Sequence, residues 1–145
     1  MKPYRITAAL LAAGIALGGA SAQAQEFVVK MLNRGETGMM VFEPGFVKAQ
    51  VGDTIRFVPT DKGHNAETIK GFLPEGATPI AGKTGKEVML TLTKEGLYGI
   101  RCKPHYGLGM VALIEAGSPV NLDAVKAIHE PKKAAKKFGK WFEQL

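Results

Sequence analysis

Cysteine is nearly absent from this chain of 145 residues: Cys102 is the only one. That excludes an intramolecular disulfide and leaves three fates for the thiol: an inert buried side chain, an intermolecular link or a metal thiolate. Histidine is scarce as well, with only His64, His105 and His129. So few imidazoles rule out two histidine-built metal sites in one chain. One apolar run stands out, at residues 6–20. It is rich in Ala and Gly and falls short of the roughly 20 strongly apolar residues that a membrane span needs. No internal repeat, low-complexity linker or nucleic-acid-binding motif is found.

The apolar run fits an export signal better than an anchor. Lys2 and Arg5 precede it, and Ala22-Gln23-Ala24 forms a small-x-small cleavage pattern after it. Residues 1–24 are therefore expected to be a cleaved secretory signal, with a mature start at Gln25 and a periplasmic location. Without Lys2 and Arg5 the formal charge falls from +6 to +4. A moderately basic exported protein suits an acidic protein partner or an anionic surface, not nucleic acid.

Residues 25–145 are expected to form a single domain. Strand patterns fall at residues 26–33, 39–42, 54–59, 86–93, 97–102 and 110–116, with a possible edge piece at 46–50. Turns rich in Gly and Pro separate them. Short strands at this spacing predict an antiparallel β-sandwich or barrel over residues 25–116. The tail changes character. Asn121 is placed as the N-cap of a helix over residues 122–130, and Pro131 opens a second helix. In that second helix Ala134, Ala135, Phe138, Trp141, Phe142 and Leu145 share a stripe, opposite Lys132, Lys133, Lys136, Lys137 and Lys140. Strand 110–114 is apolar on both faces, so the helical extension at 121–145 is expected to cover one of them. Binding of this helix to a membrane surface is the weaker reading.

The chemistry concentrates in Cys102-Lys103-Pro104-His105-Tyr106-Gly107-Leu108-Gly109-Met110. Thiolate, imidazole and thioether are the set that redox-active copper prefers. Strand alternation puts Tyr98, Ile100 and Cys102 on one face, so Cys102 points inward. Met110 shares a face with Ala112 and Ile114, and His105 lies on the loop between the two. A trigonal site with two imidazoles, one thiolate and a weak axial thioether needs one more histidine. His64, just after the Gly63 turn, sits at a sheet end. His129 lies late in the first tail helix and is read as solvated. Met31, Met39, Met40 and Met89 compete for the axial role but are expected to fill the core.

His64-Asn65, a long interval, and then Cys102-x-x-His105-x-x-x-x-Met110 resembles the blue copper proteins, or cupredoxins. The tail helices and the mature length look most like the pseudoazurins. The resemblance implies a Greek-key β-sandwich with two C-terminal α-helices and one copper ion bound by His64, Cys102, His105 and Met110. It also implies that Asn65 braces the ligand loop and brings its backbone N–H near the thiolate. Pro104 has no N–H to offer the same sulfur. Four filled ligand positions leave no open site for substrate, so an electron carrier is expected and an enzyme is not. His105 is the expected electron port. Lys62, Arg101 and Lys103 flank the ligands in sequence, and the resemblance adds Arg34, giving a basic ring for an acidic redox partner. A nitrite reductase or related denitrification enzyme is the partner implied. A copper carrier or storage protein is the alternative, although it would favour several exchangeable Met or Cys ligands. A zinc domain is the other, since the same donors suit zinc.

Overall fold

A computed structural model of the chain describes residues 23–145. The expected signal segment therefore lies almost wholly outside the described residues. Eight strands form two four-stranded sheets. The first has the order β2 (Gly38–Glu43), β1 (Glu26–Gly35), β4 (Thr54–Pro59), β6 (Val88–Thr91). The second has the order β3 (Phe46–Ala49), β8 (Val111–Ala116), β7 (Gly96–Arg101), β5 (Glu67–Thr68). The mainly β sandwich is as expected, but it is not purely antiparallel. β1 runs parallel to β4, with Phe27 opposite Ile55 and Val29 opposite Phe57. β3 runs parallel to β8, with Val47 opposite Ile114. A parallel neighbour needs a crossover. Here the chain leaves the first sheet after β2, contributes β3 to the second and returns as β4.

One core lies between the sheets. Val29, Met31, Phe42, Ile55, Phe57, Leu90, Tyr98, Ile100, Ala112 and Ile114 are buried there, and Cys102 and Met110 belong to the same cluster. A second core lies outside β7 and β8. Leu97, Val111 and Leu113 point into it and meet Phe72, Val125, Ala134 and Phe138. This explains why every residue of β8 is buried, although a surface strand would alternate. The cover comes from α1 (Leu122–Lys126) and α2 (Lys132–Phe142). Phe138 packs at a tilt of 45° against Phe72, with ring centroids 4.7 Å apart. Phe72 in turn lies flat on Gly99, where any Cβ would overlap its ring.

Several local expectations change. The first tail helix ends at Lys126, not at residue 130. Asn121 makes no side-chain cap bond. Its Oδ1 instead accepts from the Leu97 N–H at 2.7 Å, and its Nδ2 donates to the Leu97 carbonyl at 3.0 Å. A residue suited to capping has been used to fasten the tail to β7. Asn121→Ala strands both backbone groups in a buried position and should lower unfolding free energy by about 2 kcal/mol, at about 1 kcal/mol per bond. Urea unfolding of the metal-free protein measures it. Ala135 is exposed, so the apolar stripe of α2 is narrower than its spacing suggests. Of the four competing methionines only Met31 is in the core. Met39 and Met89 are 61% and 51% exposed, and Met40 is half-buried. β2 and β6 are the two edges of the first sheet, where alternate residues face solvent.

Candidate metal centre

The loop after β4 carries His64. Gly63, with φ of 87°, makes the left-handed step that an L side chain rarely takes. The His64 carbonyl accepts from the Gly85 N–H at 2.8 Å, which ties the loop to its return segment. The ring is fully buried. Its Nε2 lies 2.8 Å from Oδ1 of Asn33. An amide oxygen can only accept, so Nε2 carries the hydrogen and Nδ1 keeps a lone pair. Asn33 is itself held, because its N–H donates to Asp61 Oδ2 at 2.7 Å and the Asp61 N–H donates to the Met31 carbonyl at 3.1 Å.

The segment Cys102–Met110 is a short 3₁₀ helix, Lys103–Leu108, with non-helical geometry at His105. The loop expected between the two strands is therefore helical over most of its length. Pro104 suits the first turn of a helix because its missing N–H would have had no partner there. Gly109, at φ of 81°, ends the helix and turns the chain into β8. The Cys102 N–H donates to the Met110 carbonyl at 3.0 Å, and the Met110 N–H donates to the His105 carbonyl at 3.2 Å. The ends of the ligand segment are thus closed on each other.

The donor atoms converge. Cys102 Sγ lies 3.7 Å from His64 Nδ1 and 3.4 Å from His105 Nδ1, and the two Nδ1 atoms are 3.1 Å apart. Metal bonds of about 2.0 Å to nitrogen and 2.3 Å to sulfur place donors of one trigonal ion at about such separations. With its Nε2 occupied by Asn33, His64 turns a lone pair toward another nitrogen and a sulfur inside an apolar core. A cation in the middle satisfies all three, so the donor set fits a copper ion. Met110 is fully buried in the cluster that contains Cys102. His129 is exposed and is no part of the group.

Burial pushes the Cys102 thiol above its ordinary range, while the backbone N–H groups of Asn65 and His105 act in the opposite sense. A metal ion therefore has a proton to displace from this sulfur. Burial, and then His105, push His64 below the ordinary imidazole range, against a smaller upward pull from Asp61. A depressed imidazole favours folding while it stays neutral. That contribution is complete above the unfolded value of about 6.5 and is lost as pH falls through the lower folded value. The metal-free protein should therefore unfold at lower urea as pH is brought below about 6.5. In His64→Gln this part of the pH dependence should be missing.

Around these donors the remaining expected residues take definite positions. Asn65 Oδ1 accepts from the Lys103 N–H at 2.7 Å, and its Nδ2 donates to the Gly82 carbonyl at 3.0 Å and to Glu67 at 3.2 Å. It bridges the His64 loop to the Cys102 segment. Arg34, Lys62 and Lys103 are exposed. Arg101 is half-buried, pairs with Glu67 at 2.7 Å and lies over the Tyr106 ring at 5.1 Å. Pro104 and Leu108 are exposed on either side of half-buried His105. Sequence reasoning missed Asn33, Asp61 and Glu67. Asn33 and Glu67 lie 31 and 34 positions from the residues they hold, so no short spacing marks them.

Residues 29–117 match the family described as copper binding proteins, plastocyanin/azurin family. Pseudoazurin of Paracoccus pantotrophus is 56% identical over 107 residues, covering 73% of this chain and 74% of the relative. Pseudoazurin of Methylorubrum extorquens is 48% identical over 141 residues, covering 97% of this chain and 95% of the relative. The crystal structure of a pseudoazurin from Methylobacterium extorquens superposes with a TM-score of 0.79 at 48% identity, covering 82% of this chain and 98% of that one. For this Cys–His–His cluster the family match favours copper over zinc. The chain belongs to the plastocyanin/azurin family of copper-binding proteins, among its pseudoazurins, which are blue copper electron carriers and not enzymes.

Proposed function

We propose that this protein is a periplasmic donor of single electrons to a nitrite reductase or a related denitrification enzyme. In this reading His64, Cys102, His105 and Met110 hold one copper ion per chain, and residues 1–24 are removed on export. Copper supplies a one-electron couple between Cu(I) and Cu(II). The chain keeps two imidazoles, a thiolate and a thioether in one arrangement for both states, so little has to move when the charge changes. The observation that carries the proposal is the convergence of three donor atoms within 4.8 Å of one another, two of them on fully buried side chains.

His105 is the electron port, because it alone of the three is half-exposed. Pro104 and Leu108 form a small dry contact around it. Arg34, Lys62 and Lys103 are exposed and would supply the positive charge that meets an acidic partner. Arg101 adds less, since Glu67 neutralises it. An apolar patch inside a basic ring suits brief contact with an acidic protein. No described helix is long and apolar enough to cross a membrane. A storage role is not favoured, because the described residues include a single such donor cluster.

Stopped-flow mixing of the reduced protein with a bacterial nitrite reductase tests the proposal. The second-order rate constant should fall about tenfold between low salt and about 0.5 M salt. A rate indifferent to salt would remove the basic ring from the account, and no reduction at all would remove the partner. The copper protein recovered from the periplasm should begin at Gln25.

A further inference from the structure

Two contacts join the tail to the arc between the last two proposed ligands, and neither belongs to the sandwich. Tyr106, next to His105, donates its hydroxyl hydrogen to Glu130 Oε2. Glu130 ends the connection between α1 and α2, immediately before Pro131. Three residues further on, Lys133 in the first turn of α2 packs on Gly109, next to Met110. A Cβ on Gly109 would lie 3.0 Å from Lys133 Cβ and 3.1 Å from its backbone carbon. Residues 106–109 are therefore gripped at both ends by residues 130–133.

The grip at Tyr106 is the directional one. Its ring lies under the Arg101 guanidinium, and Arg101 is fixed by Glu67, which also takes the Asn65 amide. With the ring held on its face, a bond at the hydroxyl sets the last degree of freedom. Glu130 is half-buried, and within the described residues its Oε1 has no hydrogen-bond partner. A half-buried carboxyl group with one oxygen left unpaired costs stability, so its presence calls for a role of its own. A phenol keeps its proton at neutral pH, so the hydroxyl is the donor and the carboxyl oxygen the acceptor.

We infer that Glu130 is a positioning residue for the metal centre: through the Tyr106 hydroxyl it fixes the 106–109 arc and with it the spacing of His105 and Met110. The tail thus has a second task besides covering the apolar face of β7 and β8. The inference rests on His105 and Met110 being ligands. A chain that takes up copper with no blue colour would sink that assignment, whereas the Glu130 variants test the clamp alone.

The test compares Glu130→Ala, Glu130→Gln and Tyr106→Phe with the parent chain. In metal-free protein, amide exchange at residues 106–110 should quicken about tenfold in Glu130→Ala and in Tyr106→Phe. Exchange in β1 and β4 should not change. Cu(I) affinity, read by competition with a chelator, should fall about tenfold, at the low end for outer-shell partners. The ratio of the violet to the red thiolate-to-copper bands should shift in both variants. Glu130→Gln keeps an oxygen that accepts from the phenol and should match the parent in all three. Parent-like exchange, affinity and band ratio in Glu130→Ala overturn the inference. So does a Glu130→Gln that behaves as the alanine variant does, or a rise in exchange spread uniformly over the strands. If Glu130→Ala does not fold, Tyr106→Phe decides alone, since it keeps the ring over Arg101.

Discussion

Cys102→Ser should abolish the intense blue absorption and lower Cu(I) affinity by roughly 10²–10³-fold. Structural four-ligand zinc sites bind with apparent free energies of about 10–16 kcal/mol, so one ligand of four carries about 2.5–4 kcal/mol. A hydroxyl does not replace a thiolate here. It is a harder donor, it does not ionise near neutrality in a buried position, and it has no low-energy charge transfer to Cu(II). The fold should survive, because the side chain is small and its backbone bonds to Met110 and His105 do not involve the sulfur. A visible spectrum and a chelator competition on the folded variant make the measurement. A blue Cys102→Ser protein would mean that the sulfur is not a ligand.

Such a result would test what one short segment of sequence already suggests. Cys102, His105 and Met110 are within nine residues, so their chemistry could be read from local spacing alone. His64 required one more step, its position at the end of a strand beyond a glycine turn. Most strands followed from short apolar runs between Gly and Pro turns, the first tail helix from its cap residue and the second from a 3.6-residue stripe, whereas the two-residue β5 left no pattern to read. What escaped was whatever depends on two distant segments meeting. The parallel pairs β1–β4 and β3–β8 reflect a chain that changes sheets between β2 and β4, and no local pattern encodes that. Asn121 looked like a cap because caps and side-chain fasteners use the same residue type. Met39 and Met89 looked like core because edge-strand exposure depends on which strands lack a neighbour.

The same limit hid the residues that orient the ligands. Asn65 was accessible to sequence reasoning only through its adjacency to His64. Asn33 closes the first strand pattern, and nothing beside it in sequence marks a partner 31 positions away. Glu67, Arg101, Tyr106 and Glu130 form a connected set from the His64 loop, across β5 and β7, to the joint of the tail helices. Each member is an ordinary polar residue in its own stretch of sequence. Their common role appears only once the two sheets and the tail have brought them around one loop.

Asn33→Ala is the sharpest test of that outer layer. The substitution removes the oxygen that holds His64 Nε2–H at 2.8 Å. The imidazole can then rotate, and it can place its hydrogen on Nδ1, the nitrogen that faces Cys102 and His105. Both changes cost metal binding, the first by loosening the ligand and the second by occupying its lone pair. Loss of such a partner typically lowers metal affinity 10–100-fold, and this range is expected for Cu(I) here. The oxidised protein should stay blue, since sulfur and both rings remain. Asn33→Asp separates the two possible roles of this residue. A carboxylate still accepts from Nε2–H, and its charge favours the cationic forms of ring and metal. It should therefore restore affinity and stabilise Cu(II) over Cu(I), which lowers the reduction potential. If Asn33→Ala instead binds copper as tightly as the parent chain, His64 is oriented by its own burial and the hydrogen bond is incidental. Nitrogen NMR of His64 in the metal-free protein provides an independent readout. Nε2 should carry the hydrogen in the parent and in Asn33→Asp, and the tautomers should mix in Asn33→Ala.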